Sequence, residues 1–232
     1  MPRKYYGQNA EDAVLWSVFE DGYIGTYLDI GALDGVRFSN TYSFEQAGWR
    51  GVCVEAHPVY AKFAKANRPS AVVVHAAASD KDADSINFYA NKLGSLSTLD
   101  PGMEKHFKAY GDKIFMGFKK IRVPMCTANT VLENANIDKL DVVSIDVEGS
   151  ELAVLRGLDL NRFSPRILVI ESMLDKTKVR VVARMKASGY CLARSIGNNY
   201  FYCRDSADIT TVKHATTKVA VVKTPHPIRD KK

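Results

Sequence analysis

The sequence predicts an α/β protein: one domain built on a mostly parallel sheet with helices between the strands. Three observations predict it. Residues 27–35, Tyr-Leu-Asp-Ile-Gly-Ala-Leu-Asp-Gly, carry an apolar, β-favouring run into a glycine turn, after which the pattern becomes helical. Glu55 ends a second apolar run 20 residues after Gly35. A later apolar run, 140–145, delivers Asp146 and Glu148 to a strand end, followed by Gly149 and a helical stretch. Strands that alternate with helices pair in parallel, and such sheets bind ligands beyond the carboxyl ends of their strands.

Length and composition set the bounds. With 232 residues the chain can bury a substantial core, and 46% hydrophobic with 25% charged residues is ordinary for a globular protein. No apolar run reaches the length of a membrane span, and the opening residues lack the apolar core of a signal peptide. Cys53, Cys126, Cys191 and Cys203 form no Cys-x-x-Cys pair, so a reduced, cytoplasmic protein without structural zinc is expected. The net charge of +6 sits almost wholly in residues 213–232, where six Lys and Arg residues face only Asp230. Residues 207–232 therefore read as a basic, solvated or disordered tail behind a domain at 1–206.

Taken in order, residues 5–22 predict a short amphipathic helix, with Gln8, Glu11 and Asp12 on a solvated polar face. Gly31 and Gly35 make the turn after the first strand, where a tight bend at positive φ needs no Cβ. Ser39-Asn40-Thr41 offers cap chemistry for the next helix, and Val52 to Glu55 is the second buried strand. Pro58 suits a helix start, and Ala71 to Ala77 reads as a third strand closed by Ser79 and Asp80, with His75 inside it as a core residue. Residues 85–126 break the alternation: two short strands flank a stretch rich in glycine, lysine and aromatics, expected to be an insertion or lid over the site. The fourth strand ends at Asp146, the fifth (166–171) ends at Glu171, and a helix leads to a closing hairpin over Gly197-Asn198-Asn199.

The turn chemistry narrows the ligand. Asp29 beside the glycine turn would repel a pyrophosphate but suits an ammonium or sulfonium, and no G-x-G-x-x-G pattern is present, which argues against a dinucleotide dehydrogenase. Glu55 has the spacing at which such folds place an acid on ribose hydroxyls. The acidic strand end with Gly-x-x-x-Gly resembles the first motif of class I S-adenosylmethionine-dependent methyltransferases. The run I-D-V-E-G-x-E-x-x-V-L-x-G at 145–157 resembles the signature of the FkbM-family methyltransferases. Gln8, Glu11-Asp12, Ser39-Asn40-Thr41, Gly48-Trp49-Arg50-Gly51, Glu55-Ala-His-Pro58 and Ile167 to Glu171 follow in that family's order. Ser144 stands where family members commonly carry a lysine.

The resemblance implies a single Rossmann-like domain with a seven-stranded sheet closed by a C-terminal antiparallel strand. It implies S-adenosylmethionine held by Asp29, Gly31, Gly35, Glu55, Ser79, Asp80 and Asp146, with the adenine beside the 79–80 strand end. The implied reaction is methyl transfer to a hydroxyl of a saccharide or natural product. Either Asp146 or Glu148 is then the base and Glu171 orients the acceptor; alternatively Asp146 and Glu171 hold a divalent ion such as Mg²⁺. His57 is a further candidate base. Two other readings stay open: a ribose or cap 2'-O-methyltransferase that uses the basic tail on nucleic acid, and a catalytically inactive methyltransferase fold serving as a binding subunit.

Overall fold

A computed structural model describes residues 3–230. The elements run α1 (Glu11–Trp16), β1 (Thr26–Ile30), α2 (Tyr42–Gln46), β2 (Arg50–Glu55), α3 (Pro58–Asn67), β3 (Val72–His75), β4 (Ala77–Ser79) and β5 (Ala83–Asn91). They continue with α4 (Glu104–Phe107), β6 (Phe118–Thr127), α5 (Ala128–Asn134), β7 (Val142–Ile145), α6 (Glu151–Arg156), β8 (Ile167–Glu171) and α7 (Asp175–Ala187). The last three are β9 (Cys191–Ile196), β10 (Asn199–Cys203) and α8 (Ser206–His214).

Seven strands form the main sheet in the order β3-β2-β1-β7-β8-β10-β9, parallel except for β10, which runs against both its neighbours. The order reverses between β1 and β7, so the ends of β1, β2, β7 and β8 open toward one crevice, the switch point at which such sheets bind ligands. One face of the sheet buries α5, α6 and α7 side chains, and the other buries a cluster of Trp16, Phe19, Phe44 and Trp49. Trp16 stacks on Phe44 with ring centroids 4.1 Å apart. No helix among the described residues is long and apolar enough to cross a membrane.

The sheet matches the predicted architecture, and three local expectations change. The third strand divides at Ala76: β3 stays on the main sheet, while β4 pairs in parallel with β6, which also pairs with β5. The two ends of the 85–126 segment thus belong to a second three-stranded sheet, completed by β4, and the lid proper is the span 92–117 between them. His75, expected in the core, is exposed on the edge strand and bonds the Ala56 carbonyl at 3.1 Å. Glu11 and Asp12, expected on a solvated face, are buried, because the tight chain at Gly7 turns its amides onto them: Tyr6 N–H donates to Asp12 Oδ2 at 2.6 Å and Asn9 N–H to Glu11 Oε2 at 2.7 Å.

The basic tail also differs from the expectation. In α8, Val212 is buried and Asp208 holds Arg166 in a two-pronged pair at 2.8 Å. The following chain crosses back to the N-terminal segment, where Val222 N–H donates to the Tyr5 carbonyl at 2.8 Å. Lys231 and Lys232 lie outside the described residues.

Arg68, at the C-terminal end of α3, ties the first turn to the sheet. Its guanidinium is fully enclosed: Nε donates to Glu45, Nη1 to the Gly35 carbonyl at 2.9 Å and Nη2 to Thr41 Oγ1 at 3.0 Å. Thr41 in turn donates to Asp29 at 2.6 Å. Gly35, at φ +84°, is required here because a Cβ would meet Arg68 Cγ at 2.6 Å. Arg68→Met is expected to cost about 3–5 kcal/mol in urea denaturation, because Glu45 and Asp29 are left buried without their cation. A lysine should not restore it, since one ammonium cannot match the guanidinium fork. A loss below about 1 kcal/mol in Arg68→Met would remove Arg68 from this role.

Candidate active site

A cavity of about 380 Å³ opens at the carboxyl ends of β1, β2, β7 and β8, under the lid. One half is lined by the β1 turn (Gly31 to Leu33), Glu55, Ala76 to Ala78 and Phe88. Gly31 sits at φ +88°, and a Cβ there would lie 1.7 Å from the Asp146 carbonyl oxygen, so glycine alone lets the β1 and β7 ends approach. The approach is fixed by Asp146 N–H donating to the Ile30 carbonyl at 2.9 Å.

Glu55 is buried with each carboxylate oxygen held by a backbone amide, Leu33 N–H at 2.8 Å and His57 N–H at 2.7 Å. Each oxygen keeps lone-pair capacity for a ligand hydroxyl. Burial raises the Glu55 carboxyl to about 7 against the lowering effect of those two amides. Asp29 also reaches the lining, but Thr41 and Ser39 bond it and Arg68 stands 3.8 Å away. Its charge is already countered, so it shapes the turn more than it receives a cation.

Three of the expected cofactor residues stand off this wall. Gly35 turns its carbonyl to Arg68. Ser79 packs its carbonyl where a Cβ at Gly157 would sit, and Asp80 pairs with Arg156 at 2.8 Å on the surface. The bend at Ala76 is the cause, since it presents Ala76 to Ala78 to the cavity and carries 79–80 past it. His57 is likewise absent from the lining: its Nδ1 caps α3 by accepting from Val59 N–H at 3.2 Å.

The other half is acidic. Asp146, Glu148 and Glu171 bring one carboxylate oxygen each to within 4.8 Å of one another. Asp146 is open to the cavity at the end of β7, Glu171 ends β8, and Glu148 occupies a left-handed conformation at φ +55° ahead of Gly149. That uncommon backbone turns the Glu148 carbonyl toward the lid, where Thr98 Oγ1 donates to it at 2.7 Å. Leu96 N–H donates to the Glu148 carboxylate, while Oε2 is buried without a partner among the described residues. Glu151 lies behind, its Oε1 taken by Gly149 N–H at 2.7 Å.

Crowding and burial set the protonation of this group. Although its side chain is open to the cavity, the Asp146 carboxyl lies deep among protein atoms, and that setting, then the Glu171 charge and their hydrogen bond, holds it above its ordinary range. Burial pushes Glu171 up to about 7 and Glu148 well above its usual value. Both carboxyls of the Asp146–Glu171 pair are thus raised, and they titrate as a pair, as close carboxylates do.

The sequence missed several lining residues. Arg37 and Phe38 follow the glycine turn, Arg37 stacked 4.4 Å over the Phe38 ring. Asn199, opposite Glu171 in the β10–β8 register, is held by Glu11 at 3.2 Å. Tyr110 and Ile114 come from the lid, and Ser144 accepts from Asn40 Nδ2 at 3.2 Å. The Gln8 and Glu11-Asp12 motif pointed to the Glu11 wall; no spacing rule singles out Arg37 or Asn199.

The raised carboxyls carry a stability signature. A carboxyl whose folded pKa lies above its unfolded value stabilises the fold at low pH, and that contribution is lost as pH rises through the folded value. For Glu171 the window runs from about 4.5 to about 7. Glu171→Gln is therefore expected to be more stable than wild type by on the order of 1–3 kcal/mol at pH 8, a difference that vanishes below pH 4.5. Parallel denaturation curves at both pH values would refute the crowding.

Comparison with known proteins agrees with this geometry in one respect that decides the family. Three solved structures align with the chain at low similarity. Precorrin-6y C5,15-methyltransferase from Geobacter metallireducens aligns at 13% identity and TM-score 0.46, over 84% of this chain and 87% of that one. A putative RNA methyltransferase from Pyrococcus horikoshii aligns at 9% identity and TM-score 0.44, over 84% and 80%. A mitomycin 7-O-methyltransferase aligns at 13% identity and TM-score 0.38, over 84% of this chain and 52% of that one. Among curated proteins, none matches the chain. Residues 29–192 match the Methyltransferase FkbM domain, a span that holds the glycine turn, Glu55 and all three clustered carboxylates, and the chain belongs to the FkbM methyltransferase family.

Proposed function

We propose that this methyltransferase moves the methyl group of S-adenosylmethionine to a hydroxyl of a saccharide or similar polyhydroxylated natural product. The observation that carries the reading is the cluster of Asp146, Glu148 and Glu171, whose carboxylate oxygens lie within 4.8 Å of one another on the cavity across from Glu55. The residues fit the cofactor: Glu55 has free lone pairs for a ribose diol, Ala76 to Ala78 with Phe88 offer a slot for a flat base, and the acidic half suits a sulfonium. When bound, the cofactor supplies an electrophilic methyl group.

The chain's own residues then have distinct tasks. Glu55 orients the ribose through the two amides that fix it. Asp146 takes the proton of the acceptor hydroxyl as the new bond forms, and Glu171 shares that proton and holds the acceptor. A carboxyl held well above its ordinary range is a stronger base once ionised than a free aspartate. Glu148, tied by Leu96 and Thr98, closes the site beneath the lid. Alignment of the hydroxyl with the methyl group supplies much of the acceleration.

The charge of the acceptor half favours a neutral acceptor. Glu11, Asp146, Glu148 and Glu171 line it, and a phosphodiester would be repelled there, which disfavours the nucleic-acid reading. Ser144, in place of the family's usual lysine, is bonded to Asn40 and leaves the carboxylates untouched, so nothing at this position argues for an inactive subunit. Buried, unpaired Cys53, Cys126 and Cys203 accord with a cytoplasmic setting.

Glu55→Ala is expected to weaken S-adenosylmethionine binding by about 1–3 kcal/mol in calorimetric titration, the cost of stranding polar partners. Asp146→Asn should lower turnover by about 10²–10⁴-fold with labelled methyl donor and a panel of hydroxylated acceptors, and leave cofactor affinity nearly unchanged. The three carboxylates are also a donor set for a hard divalent cation. Activity abolished by chelator and restored by Mg²⁺ would assign them that role, whereas indifference to chelator assigns a direct base. Near-normal turnover in Asp146→Asn would rule out both.

A further inference from the structure

The C-terminal segment carries a buried residue that the methyl-transfer chemistry does not use. His226 is only 4% exposed, although its neighbours from Val221 to Asp230 are all partly or fully accessible. Its backbone amide donates to Asp230 Oδ2 at 2.7 Å, and the Asp230 amide returns to the His226 carbonyl at 3.1 Å. Its ring has one assignment that satisfies every neighbour. Nδ1 faces two backbone donors, Ile228 N–H at 3.2 Å and Arg229 N–H at 3.0 Å, so it accepts and carries no proton. Nε2 therefore bears the hydrogen and donates to the Leu93 carbonyl at 3.0 Å, with Tyr60 Oη 3.4 Å away. Burial keeps the ring neutral, in line with this tautomer.

Leu93 opens the loop 93–99, which runs along the cavity. Gly94, Ser95, Leu96, Ser97 and Leu99 all line it. The loop is bound to the acidic centre at its far end, through Leu96 N–H on the Glu148 carboxylate and Thr98 Oγ1 on the Glu148 carbonyl. Leu96 holds a left-handed backbone at φ +67°, which costs energy for a branched residue and persists only where neighbours impose it. At its near end the loop rests on Tyr60 so closely that a Cβ at Gly94 would meet the ring at 2.3 Å. His226 is the bolt at that junction, joining the C-terminal segment, α3 and the loop.

We propose that the C-terminal segment is a structural part of the methyl-transfer site, and that His226 is a positioning residue which fixes the loop 93–99 and through it Glu148. The segment is a strap anchored at both ends, by α8 on the sheet and by His226 under the loop. With the bolt drawn, ligand binding must itself order the loop, and that ordering is subtracted from affinity. This inference rests on the cofactor reading above.

Two conservative substitutions separate the strap's own folding from its hold on the loop. His226→Gln keeps a donor that reaches the Leu93 carbonyl. His226→Asn keeps only the acceptor near Nδ1 that closes the turn. In the full chain, His226→Asn and His226→Ala are expected to weaken S-adenosylmethionine binding about tenfold in calorimetry, on the scale of one lost buried hydrogen bond. They should also speed amide hydrogen exchange in the 91–98 peptide but not in the sheet, whereas His226→Gln stays near wild type in both. Asp230→Ala, which loosens the same turn from outside, should move both readings in the same direction if His226→Ala fails to fold. Asparagine behaving like wild type, or exchange rising uniformly across the protein, would overturn the proposal. Failure of the wild type to bind S-adenosylmethionine would instead overturn the cofactor reading, and the exchange pattern would then decide the strap by itself.

Discussion

Arg68 is a guanidinium enclosed by protein at the end of α3, and the shape of the glycine turn depends on it. A buried cation is costly unless each of its donors is met. Here they are met by Glu45, Gly35, Ser39 and Thr41, with Asp29 close by. These partners come from β1, the turn, the cap of α2 and α2 itself, so one side chain holds them in register. Tyr27 and Tyr42 add ring faces 5.2 and 5.4 Å away. The consequence for function is indirect but firm: with Asp29 neutralised inside the wall, Glu55 is left as the acid that meets a ligand on this side.

On the far side of the cavity the electrostatics run the other way. Among the described residues, no Lys or Arg lines the cavity next to Asp146, Glu148 and Glu171; Arg37, the one Lys or Arg in its lining, belongs to the β1 turn. Burial first, and then their mutual repulsion, raises all three carboxyls, Glu171 to about 7. Once ionised, such carboxylates are suited to accept a proton from a hydroxyl and to counter a sulfonium. The left-handed Glu148 and the tight Gly31 contact show what the fold tolerates to keep those groups together. Strain of this kind is stored where surrounding packing over-determines the backbone.

The lid gives the site a further wall, and the strap holds that lid. A second sheet of β4, β6 and β5 carries the 92–117 span above the crevice, and Phe107, Phe115 and Phe118 give that span a small core of its own. The C-terminal segment closes the ring by returning to Tyr5 and then to Leu93. The N-terminal and C-terminal segments thus meet at Tyr5 and Val222, and the latter goes on to hold the loop that lines the cavity.

The sequence by itself determined the order of strands and helices, the closing hairpin, the family, and the strand-end acids Asp29, Glu55, Asp146, Glu148 and Glu171. Those features are local: an apolar run fixes a strand, a glycine fixes its turn, and the next residue in line falls at the carboxyl end. Tertiary structure alone decided which of the acids face the cavity without a partner of opposite charge. Asp29 was answered by an arginine 39 positions away, and Asp80 by an arginine on a different helix. It also decided the division of the third strand at Ala76, because β4 is drawn to β6, whose pairing no local pattern encodes. The burial of Glu11, Asp12 and His226 belongs to the same class. Each is a polar residue met in part by backbone groups, and backbone groups leave no mark in a sequence until the chain has brought them together.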